Sequence, residues 1–88
     1  MKKGSVVLNF PNPSRIYDPS RRSVCFWGYD KAREIVFLID DALLTKLNPD
    51  TISDESSLLA TFDRNRDQIL ELARTLYKGG TCNKYTIS

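Results

Sequence analysis

Few residues in this sequence have the types and spacing that chemistry requires. Cys82 follows the Gly79-Gly80 pair, with Lys78 and Lys84 close by in sequence. A thiolate there would be a nucleophile, and the two lysines are the groups that could lower its pKa. Asp63 and Asp67 stand one helical turn apart, a spacing that puts two carboxylates on one helix side, where they could divide acid and base roles. Asp40-Asp41 is a second acidic pair. Each has a plainer reading. The helix pair falls on a solvent-facing arc, Asp40 reads as a helix cap, and no base accompanies the thiol.

The chain contains no histidine. Ser-His-Asp and Cys-His arrangements are therefore excluded within it, as are His-based metal sites. Cys25 and Cys82 are too few and too far apart for a structural zinc site, which takes four ligands. No calcium-loop spacing occurs, and Gly79-Gly80 lacks the length and the Lys-Ser/Thr ending of a phosphate loop. The chain is read as a non-enzyme with no cofactor and no metal.

A different group of residues suits binding. Trp27 and Tyr29 share one strand face, and Arg15, Arg21, Arg22, Lys31 and Arg33 lie near them in sequence. Aromatic and arginine residues are favoured at protein interfaces, so Trp27, Tyr29, Arg22 and Arg33 form a candidate interaction surface. The same set could stack and neutralise a single-stranded nucleic acid. A pI of about 8.6 is below the basic footprint expected of such proteins, above about 9. Nucleic-acid binding is therefore the alternative to a protein-interaction role.

The elements that must position these residues follow from periodicity. Ser5–Phe10 reads as a short strand with Val6, Leu8 and Phe10 on one face. Residues 11–20 carry three prolines and read as an irregular loop. Ser23–Tyr29 and Arg33–Ile39, rich in β-branched and aromatic residues, form a central hairpin over 23–39. Val24 and Phe26 then share a face with Ile35, Phe37 and Ile39. The opposite face carries Cys25, Trp27 and Tyr29 with Glu34, Val36 and Leu38. Asp40 caps a short helix, 41–47, which Asn48-Pro49 ends.

Thr51-Ile52-Ser53-Asp54 resembles a capping box that opens a long helix, about 54–78, with Gly79 as its left-handed end. Leu58, Phe62, Ile69, Ala73 and Leu76 fall within about 60° on its apolar side. Asn65 and Arg66 also fall on that side and are candidate polar anchors, either for the fold or for a ligand. Lys84–Ser88 reads as a last strand with Tyr85 and Ile87 on one face, and its pairing partner is left open.

The prediction is one α+β domain over 1–88. It has two layers: an antiparallel sheet of three or four strands packed on the long helix, with the short helix at an edge. The core comprises Val24, Phe26, Ile35, Phe37, Ile39, Leu43, Leu44, Leu58, Phe62, Ile69, Ala73 and Leu76. No apolar run approaches the ~20 residues of a membrane helix, so no membrane partner is expected. The apolar stretch before Pro11 is shorter than the ~7–15 residues of a signal-peptide core, so the start reads as mature structure and the protein as cytoplasmic, with two free thiols. Charge is segregated: residues 1–39 carry net +4, residues 40–63 net −5 and residues 64–88 net +3. Such alternation suits complementary faces within one molecule or between two copies.

Two runs resemble a known family. They are Phe10-Pro11-Asn12-Pro13-Ser14-Arg15 with Tyr17-Asp18 and Val24-Cys25-Phe26-Trp27-Gly28-Tyr29-Asp30, and Leu58-Leu59-Ala60 with Phe62-Asp63-Arg64-Asn65-Arg66-Asp67, Ile69, Ala73 and Tyr77. They are similar to the short bacterial proteins catalogued as domain of unknown function 1488. The resemblance implies a small α+β cytoplasmic domain and carries no activity and no site residues. The functional expectation is a non-catalytic interaction or accessory module, self-associating or bound to another protein through the Trp27 face. The other expectation for that face is that the 11–20 loop covers it, through Ile16 and Tyr17.

Overall fold

The computed structural model describes residues 8–52 and 54–88. The expected strand residues Ser5–Val7, the signal-like start and Ser53 of the expected capping box lie outside them. Four strands, β1 (Arg15–Asp18), β2 (Ser23–Asp30), β3 (Arg33–Asp40) and β4 (Lys84–Ile87), form one sheet in the order β1-β2-β3-β4. Between β3 and β4 run α1 (Asp41–Leu47), α2 (Glu55–Arg64) and α3 (Arg66–Leu76).

The central hairpin is as the alternation predicts. Val24 pairs with Ile39, Phe26 with Phe37 and Trp27 with Val36 across an antiparallel ladder. The two-residue turn places Lys31 at φ 59°, a conformation that L-residues adopt at a cost. Asp40 accepts a hydrogen bond from the Leu43 amide at 2.8 Å and caps α1, as expected of its side chain. The cap of α2 is Asp54, whose carboxylate accepts from the Ser57 amide at 2.7 Å. Thr51 does not cap: its hydroxyl meets the Asn48 carbonyl and the Thr61 hydroxyl, each at 2.7 Å.

Three expectations need correction. The 11–20 segment is not all loop, because Arg15–Asp18 pairs with β2, Ile16 opposite Cys25 and Tyr17 opposite Val24. The prolines confine the irregularity to residues 11–14, and Asn9 pairs with Tyr29 before them, so the edge strand is interrupted rather than absent. Second, the sheet is mixed rather than antiparallel, since β4 runs parallel to β3 with Val36 opposite Lys84 and Ile39 opposite Ile87. The helices return the chain to the end where β3 began, and a strand entering there must run parallel.

Third, the long helix is two helices. Asn65 sits at φ −108°, ψ 20° between them. The Thr61 carbonyl accepts from both its backbone amide, at 3.1 Å, and its side-chain amide, at 3.0 Å, and Asn is a poor helix-interior residue. The break changes which side is buried. On α2 it is Leu58, Thr61 and Phe62, and on α3 it is Ile69 and Ala73, with Tyr77 beyond. At ~100° per residue, the α3 line lies about 60° round from the α2 line. Leu76 is therefore left 36% exposed, while Tyr77 is buried. The helix ends at Leu76, so Gly79, although at φ 77°, lies past the cap rather than in it.

All three helices pack on one side of the sheet. Val24, Phe26, Ile35, Phe37 and Ile39 meet Leu44 of α1, Leu58 and Phe62 of α2, and Ile69 and Ala73 of α3, with Leu8, Tyr77 and Ile87 completing the core. Leu43 is only half-buried. Aromatic rings cross this layer: Phe26 lies 5.1 Å from Phe62 and 5.4 Å from Phe37, and Phe37 lies 5.6 Å from Tyr85. Phe10 closes the row over Gly28, where an added Cβ would stand 2.8 Å from the Phe10 ring. Glycine at 28 thus admits the aromatic side chain that seals this end of the core.

Candidate interaction surface

The sheet's other face presents Ile16 from β1, Cys25, Trp27 and Tyr29 from β2, and Val36 and Leu38 from β3, because alternate residues point to opposite sides. None of these belongs to the helix-side core cluster. Ile16, Cys25, Leu38 and Thr86 stand side by side in register, and so do Trp27, Val36 and Lys84. The buried apolar residues of all three helices lie on the other side of the sheet, and the 11–14 segment reaches this face at Tyr29, through Asn12. Ile16 is 58% exposed, Leu38 at the centre is 5% exposed, and Cys25, Trp27, Tyr29 and Val36 are half-buried. The expected covering by the 11–20 loop does not occur: Ile16 joins the face as a strand residue, and Tyr17 packs against the core on the other side.

The two aromatic residues proposed from sequence are brought together, with Tyr29 donating from its hydroxyl to Glu34 at 2.7 Å. The two arginines are not. Arg22 sits in the β1–β2 turn at φ 52° and pairs with Asp41 at 3.4 Å. Arg33 is turned toward the C-terminal connection, where its guanidinium donates to the carbonyls of Gly80 and Cys82. Arg15 also points to the helix side, with two hydrogen bonds of 2.8 and 2.7 Å to the Asp63 carboxylate. Among the described residues, these three arginines form no basic platform around Trp27.

The remaining candidates have structural duties. Asn65 forms the helix break. Arg66 lies 5.7 Å over the Phe62 ring and reaches the Asn12 carbonyl at 3.5 Å. The pairing with Arg15 holds the Asp63 carboxyl below its ordinary range, so it is no general acid near neutral pH. The Cys25 thiol is pushed up, chiefly by burial, and is a poor nucleophile. Charge segregation is partly resolved within the molecule, because Arg15–Asp63 and Arg22–Asp41 tie the basic first segment to the acidic second.

An open depression of about 440 Å³ lies beside α2, lined by Asp50, Thr51, Thr61 and Arg64 among others. Its lining is mixed, with Ile52 and Ala60 beside the polar groups, and the Thr51 and Thr61 hydroxyls are hydrogen-bonded to each other there. Among the described residues no group of three His, Cys, Asp or Glu gathers as a metal site, and no helix is long and apolar enough to cross a membrane.

Sequence reasoning missed Ile16, Lys84 and Thr86 as members of the open face. For Ile16 a signal was present, since Arg-Ile-Tyr-Asp alternates with two strand-favouring residues at its centre. For Lys84 and Thr86 there was none, because their placement depends on a parallel pairing across three helices.

No curated protein matches the chain. A solved structure is similar over nearly all of it: a protein of unknown function from the DUF1488 family of Shewanella loihica PV-4. That structure is 17% identical, with a TM-score of 0.81 over 98% of this chain and 96% of the other. It shares the fold. The family model for proteins of unknown function, DUF1488, matches residues 8–88. Sequence and fold agree, and the chain belongs to the DUF1488 family.

Proposed function

We propose that this protein is a non-catalytic interaction module whose contact surface is the open face of the sheet, with an apolar protein surface as its partner. One observation carries the reading: the helices and the Phe10 segment pack on one side of the sheet, while Ile16, Cys25, Trp27, Val36 and Leu38 crowd the other. A one-sided antiparallel sheet ordinarily alternates apolar-in with polar-out. Here the outward positions at the centre are apolar and include tryptophan, a residue favoured at contact hot spots.

The engaged arginines weigh against the nucleic-acid alternative, and the capped or paired carboxylates weigh against catalysis. The free thiols Cys25 and Cys82 suit the reducing cytoplasm expected from the sequence.

The test replaces Ile16→Lys and Val36→Lys and measures urea unfolding with binding of an apolar fluorescent dye. A docking surface predicts a loss of stability below about 1 kcal/mol for each, together with weaker dye binding. A loss above about 2 kcal/mol would mean that the face is covered within its own chain, and the reading would fall.

A further inference from the structure

We infer that the occupant of the open face is a second copy of this chain, packed sheet against sheet with strands crossing near a right angle. The inference rests on the reading of that face as a docking surface. It adds the partner and its orientation, from charge and register.

Among the charged residues of this face, which include Glu34 and Asp40, two of opposite sign stand at diagonal corners, Asp18 and Lys84. The Asp18 carboxylate also accepts from the Ser20 amide and hydroxyl and lies 3.5 Å from Arg21. Asp18 closes β1 in the row of Ser23 and Asp40, and Lys84 opens β4 in the row of Trp27 and Val36. They are three strands apart, about 14 Å at the usual spacing, and two same-face steps apart along the strands, again about 14 Å. The line joining them therefore runs at about 45° to the strands. A two-fold axis between facing sheets that exchanges these corners also lies at about 45°, so the two sets of strands cross near 90°. That is one of the two favoured ways for sheets to pack. Each Lys84 then meets the second copy's Asp18, and the contact forms twice.

The same axis arranges the apolar residues without further assumption. It passes between Cys25 and Leu38, so both lie near the centre of the interface. Ile16, the most exposed apolar residue of the face at 58%, falls over the gap between the second copy's Trp27 and Val36. A surface matched to itself in this way is what a two-fold interface requires.

The area is small. Two strands of eight and two of four residues give about 400 Å² of flat area per copy, more when contoured. This is the range of weak, transient interfaces, so a dissociation constant that is micromolar or weaker is expected.

The test is sedimentation equilibrium from about 1 to 500 µM, a range that covers micromolar constants. Ile16→Lys, which removes no hydrogen bond of the fold, should leave a monomer throughout. Lys84→Glu and Asp18→Lys should each weaken the dimer about tenfold or more, and the double variant should recover most of the loss. Alkylation of Cys25 should slow as concentration rises, with exposed Cys82 as the internal control. A dimer indifferent to Ile16→Lys, or single losses without recovery in the double variant, would overturn this arrangement. A wild-type monomer at 500 µM, with the lysine variants as stable as wild type, would overturn the second copy as occupant and leave the docking surface standing. Large stability losses in those variants would overturn both.

Discussion

The two faces of the sheet share the same strands, and their residues differ by one position in sequence. On the helix side, Val24, Phe26, Ile35, Phe37 and Ile39 are all within 1% of complete burial. On the other side, Ile16, Cys25, Trp27 and Val36 remain partly or largely in contact with solvent. Hydrophobicity alone does not separate the faces, since both are apolar at the centre. What separates them is whether the chain supplies a cover. Three helices and the Phe10 segment cover one face. For the other, none of the three helices does so. Leu38 at its centre is 5% exposed, but Ile16, Trp27 and Val36 around it keep apolar surface in contact with solvent, and such surface is a surface for association.

The comparison breaks most sharply at the covered face. Phe62 is fully buried against Phe26, and Phe62→Ala is expected to cost about 3–5 kcal/mol. That is a large part of the ~4–13 kcal/mol typical of a domain this size, so chemical denaturation should find the variant marginal or unfolded. The open-face substitutions Ile16→Lys and Val36→Lys should each cost under about 1 kcal/mol in the same assay. If Phe62→Ala and Val36→Lys cost alike, the two faces are not different in kind.

A smaller effect concerns how β1 is held. The Arg15–Asp63 pair joins this edge strand to α2 at 2.7 Å with about half of the carboxylate exposed, so Asp63→Asn should cost no more than about 1 kcal/mol. Its pH dependence has a definite sign. The folded Asp63 carboxyl is held below its ordinary value by the hydrogen bonds from Arg15. The stabilisation is therefore complete above the unfolded carboxyl pKa, near about 4, and is lost as pH falls through the folded value. Acid unfolding of wild type and Asp63→Asn should converge at the low end of that window. A gap that persists below it would assign the difference to something other than the ion pair.

The smallest effect is on rates of thiol modification. Burial raises the Cys25 thiol, whereas Cys82 is exposed at the C-terminal connection. Maleimide labelling followed by mass spectrometry should find Cys82 modified first in dilute protein. Equal rates would mean that the centre of the open face is more accessible than its packing implies.

Local signals made much of this architecture legible from sequence. The hairpin, the short helix capped by Asp40 and the final strand all rest on alternation and capping within a few residues, and each lies where those rules put it. The family followed from runs spread along the chain. What was not legible depends on long-range geometry. The parallel pairing of β4 follows from where three helices return the chain. The break at Asn65, a residue of low helix propensity whose backbone leaves the helical region, is one that helical periodicity does not register, and it exchanged Leu76 for Tyr77 in the core. Of the candidate surface, Trp27 and Tyr29 were placed correctly by parity alone. Arg22 and Arg33 were not, because nearness in sequence says nothing about Asp41 or the Gly80 and Cys82 carbonyls that hold them.

The most direct test of the account is Trp27 fluorescence over a concentration series, because the chain has a single tryptophan and it lies on the open face. Emission is expected to be red-shifted and quencher-accessible in dilute protein, and to move to the blue and become protected as concentration rises. Emission already blue-shifted and protected at the lowest concentration, and unchanged throughout, would contradict this expectation by showing that the chain covers this face itself.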